Sequence, residues 1–335
     1  MSIETIGGPW FEDFARGQEF DAPAVTLHAG YAAAYQALFG DRLRTALDHD
    51  ATASLFGAPA VHPLLAIQIA IGQSTVVSQR VKANLFYRGL TLLRPVRLGD
   101  TLTTVTRIVG LRQNRPQPGR APTGQVALEI RTSNQRGEPL LELWRCPMIP
   151  CRREDSDTGH RDDLDTLGRA AASKPPNERF ASALAAWRGV DTRRWRGRRA
   201  AQIEVGQQFL IEARDTVTCA PELVRMTLNL AMAHTDARLS YLGQRLVYGG
   251  HVISIAHAQM LRALPNIITM LGWESCDHTA PVLENDRIRS GVRVLEKHAD
   301  PAGALLLLQI ESYAARGEPE QEQRVLEWRV WVLSA

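Results

Sequence analysis

The stretch Arg245-Leu-Val-Tyr-Gly-Gly-His-Val-Ile-Ser-Ile-Ala-His-Ala-Gln-Met-Leu-Arg-Ala-Leu264 decides how the rest of the chain is interpreted. From residue 251 to residue 264 it is apolar on nearly all sides of a helix, and a helix of that kind is usually buried. Gly249 and Gly250 stand directly before this run, where a tight turn is expected. The stretch therefore predicts a buried central helix that begins at a glycine turn.

A similar arrangement occurs in the first half of the chain, where residues 64–72 form a second mostly apolar run. In both halves a strand-like segment comes before the helix, and runs with period-2 alternation follow it. The same Arg-Gly-Glu-Pro turn separates the last two runs of each half, as in a hairpin. The strand-like segments are 19–25, 126–132 and 140–148 in the first half and 208–217, 304–312 and 324–333 in the second. One buried helix wrapped by a long antiparallel sheet, present twice, predicts an α+β fold of the tandem (double) hotdog type.

Four short motifs recur in the same order at a nearly constant separation. The pairs are Arg16–Phe20 with Val205–Phe209, Pro95–Asp100 with Pro281–Asp286, Arg136–Pro139 with Arg316–Pro319, and Leu141–Arg145 with Leu326–Arg329. Any one match could be chance, but four in order indicate a duplication. We therefore predict an N-terminal hotdog at residues 1–150 and a C-terminal hotdog at 201–335. Residues 151–200 are predicted to be a charged linker, with a short helix at 180–187.

Composition excludes several classes of protein. The 335 residues carry a net charge of +3, without the broad basic face that nucleic-acid binding needs. The longest apolar stretch, residues 58–72, is interrupted and too short to span a bilayer. The first residues lack the apolar run of a signal peptide, and the four cysteines include no CxxC pair. We therefore expect a cytoplasmic protein with idle thiols, no metal, and no nucleic-acid or membrane partner.

Residues with the right chemistry for proton transfer gather just before the central helix. His234 lies five residues after Asn229, and histidine titrates near neutral pH. The asparagine amide could hold a water molecule without ionising. A backbone N–H at the start of a helix points at developing negative charge, which makes Gly250 a candidate oxyanion donor. The alternatives are a histidine that only packs in the core and a glycine pair that only forms a turn.

These residues resemble the MaoC-like, or (R)-specific enoyl-CoA hydratase, family. That family has an acidic residue five positions before a histidine, followed by a small-residue turn into the central helix. The resemblance covers residues 10–150 and 200–333. The sequence is more narrowly similar to the mesaconyl-CoA hydratase (methylmalyl-CoA dehydratase) branch, through Trp10–Phe14, Ile108–Asn114 and Arg245–Ser254.

The resemblance implies reversible hydration of a 2-enoyl-CoA, or dehydration of a 3-hydroxyacyl-CoA. The branch favours a short, branched, dicarboxylic acyl group such as mesaconyl. The acyl-CoA is the substrate, and CoA enters only as part of it, so that neither a metal nor a redox cofactor is implied. A homodimer is an alternative to a tandem that completes its own core. The basic run at 193–199 is either a solvated face or a contact for the CoA phosphates.

The resemblance assigns catalytic roles to His234, Asn229 and Gly250. Asn229 stands where the broader family usually has aspartate, and the mesaconyl branch is expected to have asparagine there too. The change leaves open whether His234 alone handles the protons. Asp236 is a candidate second carboxylate, although capping a following helix would also explain it.

Further residues are candidates for substrate binding. A second substrate carboxylate would favour a bidentate arginine, for which Arg112, Arg245 and Arg287 are the choices. His278 precedes a strand-like run and could line the pocket, whereas His251 and His257 lie on the apolar helix and could be structural. The candidates predicted to bind substrate are Gly249, His251, Asp236, Arg245, His278 and Arg287.

The first copy lacks the catalytic features. Asp41 occupies the acidic position of the motif, but Ala46 stands five residues later in place of histidine. Pro63, which has no N–H, replaces the donating glycine. We therefore expect the N-terminal half to be catalytically degenerate and to shape the substrate site of its partner half.

Two other functions fit the same fold. A hotdog thioesterase would direct water at the thioester carbonyl, and it needs a carboxylate near the central helix, where residues 250–264 have none. A non-catalytic acyl-CoA-binding protein is suggested by Asn229 and the degenerate first half. Replacement of His234 separates the hydratase from the binding protein.

Overall fold

The computed structural model describes residues 3–4, 6–170, 173–317 and 319–335. Glu318, part of the second Arg-Gly-Glu-Pro turn, lies outside the described residues, as do Met1, Ser2 and Thr5 of the N-terminal stretch. The helices are α1 Ala29–Phe39, α2 Arg44–Leu47, α3 Asp50–Phe56, α4 Pro63–Gln73, α5 Pro176–Arg179, α6 Ala181–Trp187, α7 Ala220–Met226 and α8 Gly249–Ala263. The strands are β1 Glu19–Phe20, β2 Val25–Thr26, β3 Ala83–Leu92, β4 Thr101–Gln113, β5 Thr123–Ser133, β6 Pro139–Pro150, β7 Gln208–Leu210, β8 Asp215–Thr216, β9 Ile267–His278, β10 Arg287–Asp300, β11 Gly303–Arg316 and β12 Gln321–Ser334.

The strands form one antiparallel sheet in the order β1-β4-β5-β6-β3-β9-β12-β11-β10-β7. The order from β1 to β3 in the first half is repeated from β7 to β9 in the second. The two halves join where β3 pairs with β9, at Arg88 opposite Ser275 and Thr91 opposite Gly272. A Cβ on Gly272 would lie 2.2 Å from the Leu90 carbonyl oxygen, so a glycine is needed for this close approach. The predicted double hotdog fold is confirmed.

Two buried helices lie against this sheet. Every residue of α4 is buried, and the His62 ring caps it by accepting a hydrogen bond from Leu64 N at 3.2 Å. Pro63 at the first helical position suits that place, where its missing N–H costs nothing. Almost all of α8 is buried as well, and it begins at Gly249. These are the two apolar runs that the sequence analysis took as central helices.

The repeated motifs meet in the structure as matching ion pairs. In the first half Arg136 Nη2 lies 3.4 Å from Asp100 Oδ1. In the second half Arg316 Nε donates to Asp286 Oδ1 at 2.7 Å. Each pair ties the hairpin turn to the loop that leads into β4 in the first half or β10 in the second. The recurrence of both motifs in both halves therefore has a common structural cause.

The segment 151–200 is only partly a solvated linker. Its second part packs on the outer face of the sheet, where Phe180, Leu184 and Trp187 are buried with Leu271 and Trp331. Apolar burial of this kind makes that part a satellite core. The proposed division at residues 150 and 200 stays a prediction.

Two arginines of the basic run 193–199 make local contacts, and Arg194 and Arg196 are exposed. Arg193 pairs with Asp191 at 2.7 Å, and Arg199 donates to the Thr192 and Trp195 carbonyl oxygens, both at 2.8 Å.

Cys146, Cys151 and Cys276 are buried free thiols, and Cys219 is exposed. Among the described helices, none has both the length and the apolar character that a membrane crossing requires.

Candidate active site

A cavity of about 280 Å³ lies where the two halves meet. The first half contributes Thr75, Ser78, Lys82, Tyr87 and Arg145 to its wall. The second half contributes Asn229, His234, Tyr248, Gly249 and His278. Since β3 and β9 are neighbours at the seam of the sheet, each half supplies one side of the site.

The loop after α7 positions Asn229. Leu228, the residue before it, has φ of 58°, a left-handed conformation that is strained for a side chain other than glycine. Asn229 is buried, and its Oδ1 accepts a hydrogen bond from Ala231 N at 2.9 Å. The Nδ2 group is therefore the part of the amide left to donate to a ligand.

His234 is held in one tautomer by the backbone. Its Nδ1 lies 3.0 Å from the Leu246 carbonyl oxygen, which can only accept, so Nδ1 carries the proton. Nε2 is then the acceptor. Burial lowers the pKa of His234 to about 4, and the hydrogen bond to Leu246 opposes this only in part. At neutral pH the ring is a neutral base.

His278 and Gly249 face each other at the start of α8. A Cβ on residue 249 would lie 2.4 Å from His278 Nε2, so a larger residue would displace the His278 ring. This nitrogen is buried and has no hydrogen-bond partner among the described residues. Burial, with the nearby His234, lowers the pKa of His278 to about 4. Two neutral histidines therefore share the cavity with the helix N-terminus.

Gly250, the expected oxyanion donor, is not among the residues that line the cavity. It packs against α4: Gln68 Nε2 donates to its carbonyl oxygen at 2.9 Å, and a Cβ would lie 2.0 Å from Gln68 Oε1. Gly249, one residue earlier, is the glycine on the cavity wall.

Several other sequence candidates lie outside the cavity with partners of their own. Asp236 caps the following turn by accepting from Arg238 N at 2.9 Å. Arg245 pairs with Glu284. The remaining arginine candidates are also engaged, Arg287 with Glu320 and Arg112 with Gln125 at 2.9 Å. His251 is buried against the Phe39 ring, with centroids 4.9 Å apart.

In the first half, the acidic motif position is part of a buried hydrogen-bond network. Asp41 Oδ2 accepts from His257 Nδ1 at 2.7 Å, and Asp41 Oδ1 lies 3.1 Å from His62 Nε2. Since His62 Nδ1 accepts from Leu64 N, its Nε2 carries the proton that faces Asp41. The three could hold a metal ion by spacing alone, but hydrogen bonds already explain the arrangement.

Stability should depend on pH through His234, His251 and His278, whose rings are largely shielded from solvent. Burial lowers the pKa of His234, His251 and His278 to about 4 each, against an ordinary value near 6.5. Between about pH 6.5 and 4, these histidines therefore bind protons in the unfolded chain but not in the folded chain. The free energy of unfolding should fall as pH drops through this window, by up to about 4 kcal/mol per pH unit.

Urea unfolding at pH 7.5, 6 and 5 measures this effect. His278→Gln should remove about a third of the slope that the three histidines produce, because glutamine does not titrate. His298→Gln serves as the control, since the His298 side chain is partly exposed beside Glu296 and lies outside the cavity. Equal slopes in the wild type and His278→Gln would contradict the prediction.

Comparison with known proteins identifies relatives that match nearly the whole chain. No protein-family profile matches it. The chain is 30% identical to mesaconyl-CoA hydratase of Cereibacter sphaeroides over 331 residues, which covers 95% of this chain and 92% of that protein. It is also 30% identical to beta-methylmalyl-CoA dehydratase of Chloroflexus aurantiacus over 334 residues, 95% of this chain and 91% of that one.

Solved structures agree with the fold. A hypothetical protein of Mycobacterium tuberculosis with a double hotdog fold superposes with a TM-score of 0.88 at 44% identity, and 99% of this chain and 100% of that chain are covered. A Chloroflexus aurantiacus protein described as a MaoC domain dehydratase gives 0.82 at 26% identity, with 99% of each chain covered. With this fold, this site and these full-length relatives, the chain belongs to the mesaconyl-CoA hydratase and beta-methylmalyl-CoA dehydratase family of MaoC-like hydro-lyases.

Proposed function

We propose that the protein adds water reversibly to a 2-enoyl-CoA with a short, branched, dicarboxylic acyl group, such as mesaconyl-CoA. The observation that carries the proposal is the neutral imidazole of His234, which lines the cavity with Nδ1 engaged and Nε2 left as a base. The names of the two curated relatives support the same acyl group.

His234 and Asn229 act on the water molecule in the proposed mechanism. Asn229 Nδ2 donates to the water oxygen, and His234 Nε2 takes a proton from the water as its oxygen bonds to the β-carbon. The π electrons move toward the α-carbon and the thioester oxygen. Transfer of the proton from His234 to the α-carbon then completes the 3-hydroxyacyl-CoA and restores the neutral ring.

The charge that develops on the thioester oxygen needs hydrogen-bond donors. We assign this role to the N–H at the start of α8, because a helix N-terminus favours negative charge. Gly249 lines the cavity, so its N–H replaces that of Gly250 in the assignment. His278 Nε2, which lies against the same glycine, is the second donor and binds the substrate there.

Exposed residues mark the mouth of the cavity. Lys82, Tyr241 and Thr279 are exposed, whereas Arg145 and Tyr248 are buried. The CoA portion therefore leaves past Lys82, and the acyl group lies deeper. In this arrangement the N-terminal half, residues 1–150, contributes substrate-side residues while the catalytic histidines come from 201–335.

A thioesterase is disfavoured by the composition of the cavity wall. Among the described residues that line it, none is aspartate or glutamate. A hotdog thioesterase that uses a carboxylate to activate water would lack that group here.

Loss of the enoyl-thioester absorbance band tests the proposal directly. Purified protein is mixed with mesaconyl-CoA, crotonyl-CoA and a long-chain enoyl-CoA, and free thiol is measured in parallel. Rapid loss of the band with mesaconyl-CoA and without thiol release is expected. Loss with crotonyl-CoA alone would keep the reaction and reject the dicarboxylic substrate. Loss of the band with release of an equal amount of free thiol would identify a thioesterase, and no reaction in any assay would favour a binding protein.

A further inference from the structure

We propose that Arg145, with the hydroxyl groups of Tyr87 and Tyr248, binds the second carboxylate of the substrate at the closed end of the cavity. The inference rests on the proposed function and names the residues that select a dicarboxylic acyl group. The sequence alone suggests Arg112, Arg245 or Arg287 for this role, but in the structure each of them has another partner.

Arg145 is a buried cation without an acidic partner. It lies on β6, is 3% exposed and lines the cavity. One terminal nitrogen donates to the Ser74 carbonyl oxygen at 3.0 Å and to Ser78 Oγ at 2.8 Å. Its Nε makes no hydrogen bond, and no carboxylate forms an ion pair with it within the described parts of the chain. A buried guanidinium is costly unless an anion pairs with it, so a bound carboxylate would complete the site.

Two tyrosines stand beside Arg145. Tyr87 is its direct cross-strand partner on β3, which places the two side chains on the same face of the sheet. The Tyr248 hydroxyl is buried and has no hydrogen-bond partner among the described residues. Burial raises the pKa of both tyrosines, that of Tyr87 to about 12, although the nearby Arg145 opposes the rise. Both hydroxyls therefore keep their protons at neutral pH and can donate.

The position of these donors fits the chemistry of a mesaconyl group. In mesaconyl-CoA the second carboxylate is attached to the β-carbon, which is the atom that water attacks. A carboxylate held by Arg145 would fix that carbon between the closed end and the thioester, which lies nearer the mouth. An acyl group that ends in a methyl would leave Arg145 unpaired, so the site both favours a carboxylate and disfavours its absence.

Binding of a matched pair of saturated thioesters tests the proposal without turnover. Succinyl-CoA and butyryl-CoA differ at the end of the acyl chain, where one has a carboxylate and the other a methyl group. Calorimetry should give wild-type protein a dissociation constant at least tenfold lower for succinyl-CoA. Arg145→Gln should bring the ratio of the two constants close to one, and Arg145→Lys should restore part of it.

Two further variants keep the test decisive. Tyr248→Phe removes only a hydroxyl and should reduce the ratio severalfold, even if Arg145→Gln does not fold. Lys82→Gln, at the mouth, is the control and should change both constants by the same factor. A wild-type ratio near one, or a ratio that Arg145→Lys and Tyr248→Phe leave unchanged, would overturn the proposal. A ratio of ten without hydration of any enoyl-CoA would keep the carboxylate site and reject the proposed reaction.

Discussion

His234→Ala is expected to lower kcat for hydration of mesaconyl-CoA by about 10³-fold and to change the dissociation constant of the thioester by less than about threefold. The expected loss has the size typical of a removed general base. The His234 ring donates only to a backbone carbonyl, so the substitution leaves no charged partner buried. Stopped-flow absorbance gives kcat, and calorimetry with succinyl-CoA gives binding.

Two other histidines serve as comparisons for this variant. His278→Ala should cost less than His234→Ala, because in the proposed mechanism it removes one of two oxyanion donors and not the base. His298→Ala, outside the residues that line the cavity, should match the wild type in kcat. Full activity in His234→Ala would reject its catalytic role. An equal loss in His278→Ala would instead mean that both histidines take part in proton transfer.

Gly72→Ala is expected to destabilise the protein by about 3 kcal/mol and to lower kcat as well. A Cβ on Gly72 would lie 1.8 Å from the Thr227 carbonyl oxygen. Because this is a backbone atom, a change of side-chain rotamer cannot relieve the clash. One helical turn later, Thr75 Oγ1 accepts from Leu230 N at 2.8 Å. The end of α4 and the 3-10 turn that follows it therefore hold both sides of the segment that carries Asn229, and displacing one contact moves the amide.

Urea unfolding and steady-state kinetics measure the two effects of Gly72→Ala. Gly291→Ala is the matched control, because a Cβ there meets only the Phe209 carbonyl oxygen, at 3.9 Å. It should stay within about 1 kcal/mol of the wild type. If Gly72→Ala were as stable and active as Gly291→Ala, the contact with Thr227 could not be what positions the loop.

The sequence predicted the fold because its two central helices have an unusual pattern. A run that is apolar on all sides at 251–264 has to be covered by other elements, and the repeated motifs showed that the same unit occurs twice. The buried face of α6 was harder to predict. Its apolar residues follow a highly charged stretch, and only the outer face of the sheet, formed by distant residues such as Leu271 and Trp331, shows what they pack against.

The candidate site was predicted in part. Asn229, His234, Gly249 and His278 all line the cavity. The first three could be found from their short-range spacing before the central helix, whereas His278 lies at the end of β9 and was one of several histidine candidates. The ion pairs of Arg245 and Arg287 could not be predicted from the sequence, since the glutamates that engage them lie more than 30 residues away along the chain.

The sequence alone does not single out Arg145. The repeat of Leu141–Arg145 as Leu326–Arg329 places Arg145 opposite Arg329, which suggests an ordinary surface charge. In the structure Leu141, Leu143 and Arg145 share the buried phase of β6, whereas Arg329 is exposed. In β12 the corresponding alternate residues, Leu326, Trp328 and Val330, are the buried ones. Because alternate residues of a strand face the same side, Arg145, four residues after Leu141, corresponds to Val330, four residues after Leu326. That correspondence places a charge at a core position.

The pairing of β3 with β9 places two similar units in one polypeptide. In a dimer of identical chains, two-fold symmetry repeats every substitution at both equivalent sites. A buried arginine that creates one carboxylate pocket would then place an unpaired cation at the other. In the fused chain the two equivalent positions can carry different residues. It has arginine at 145 and valine at 330, at corresponding positions of β6 and β12. The single chain can thus become asymmetric one residue at a time, with specificity built into one half while the other keeps an apolar core.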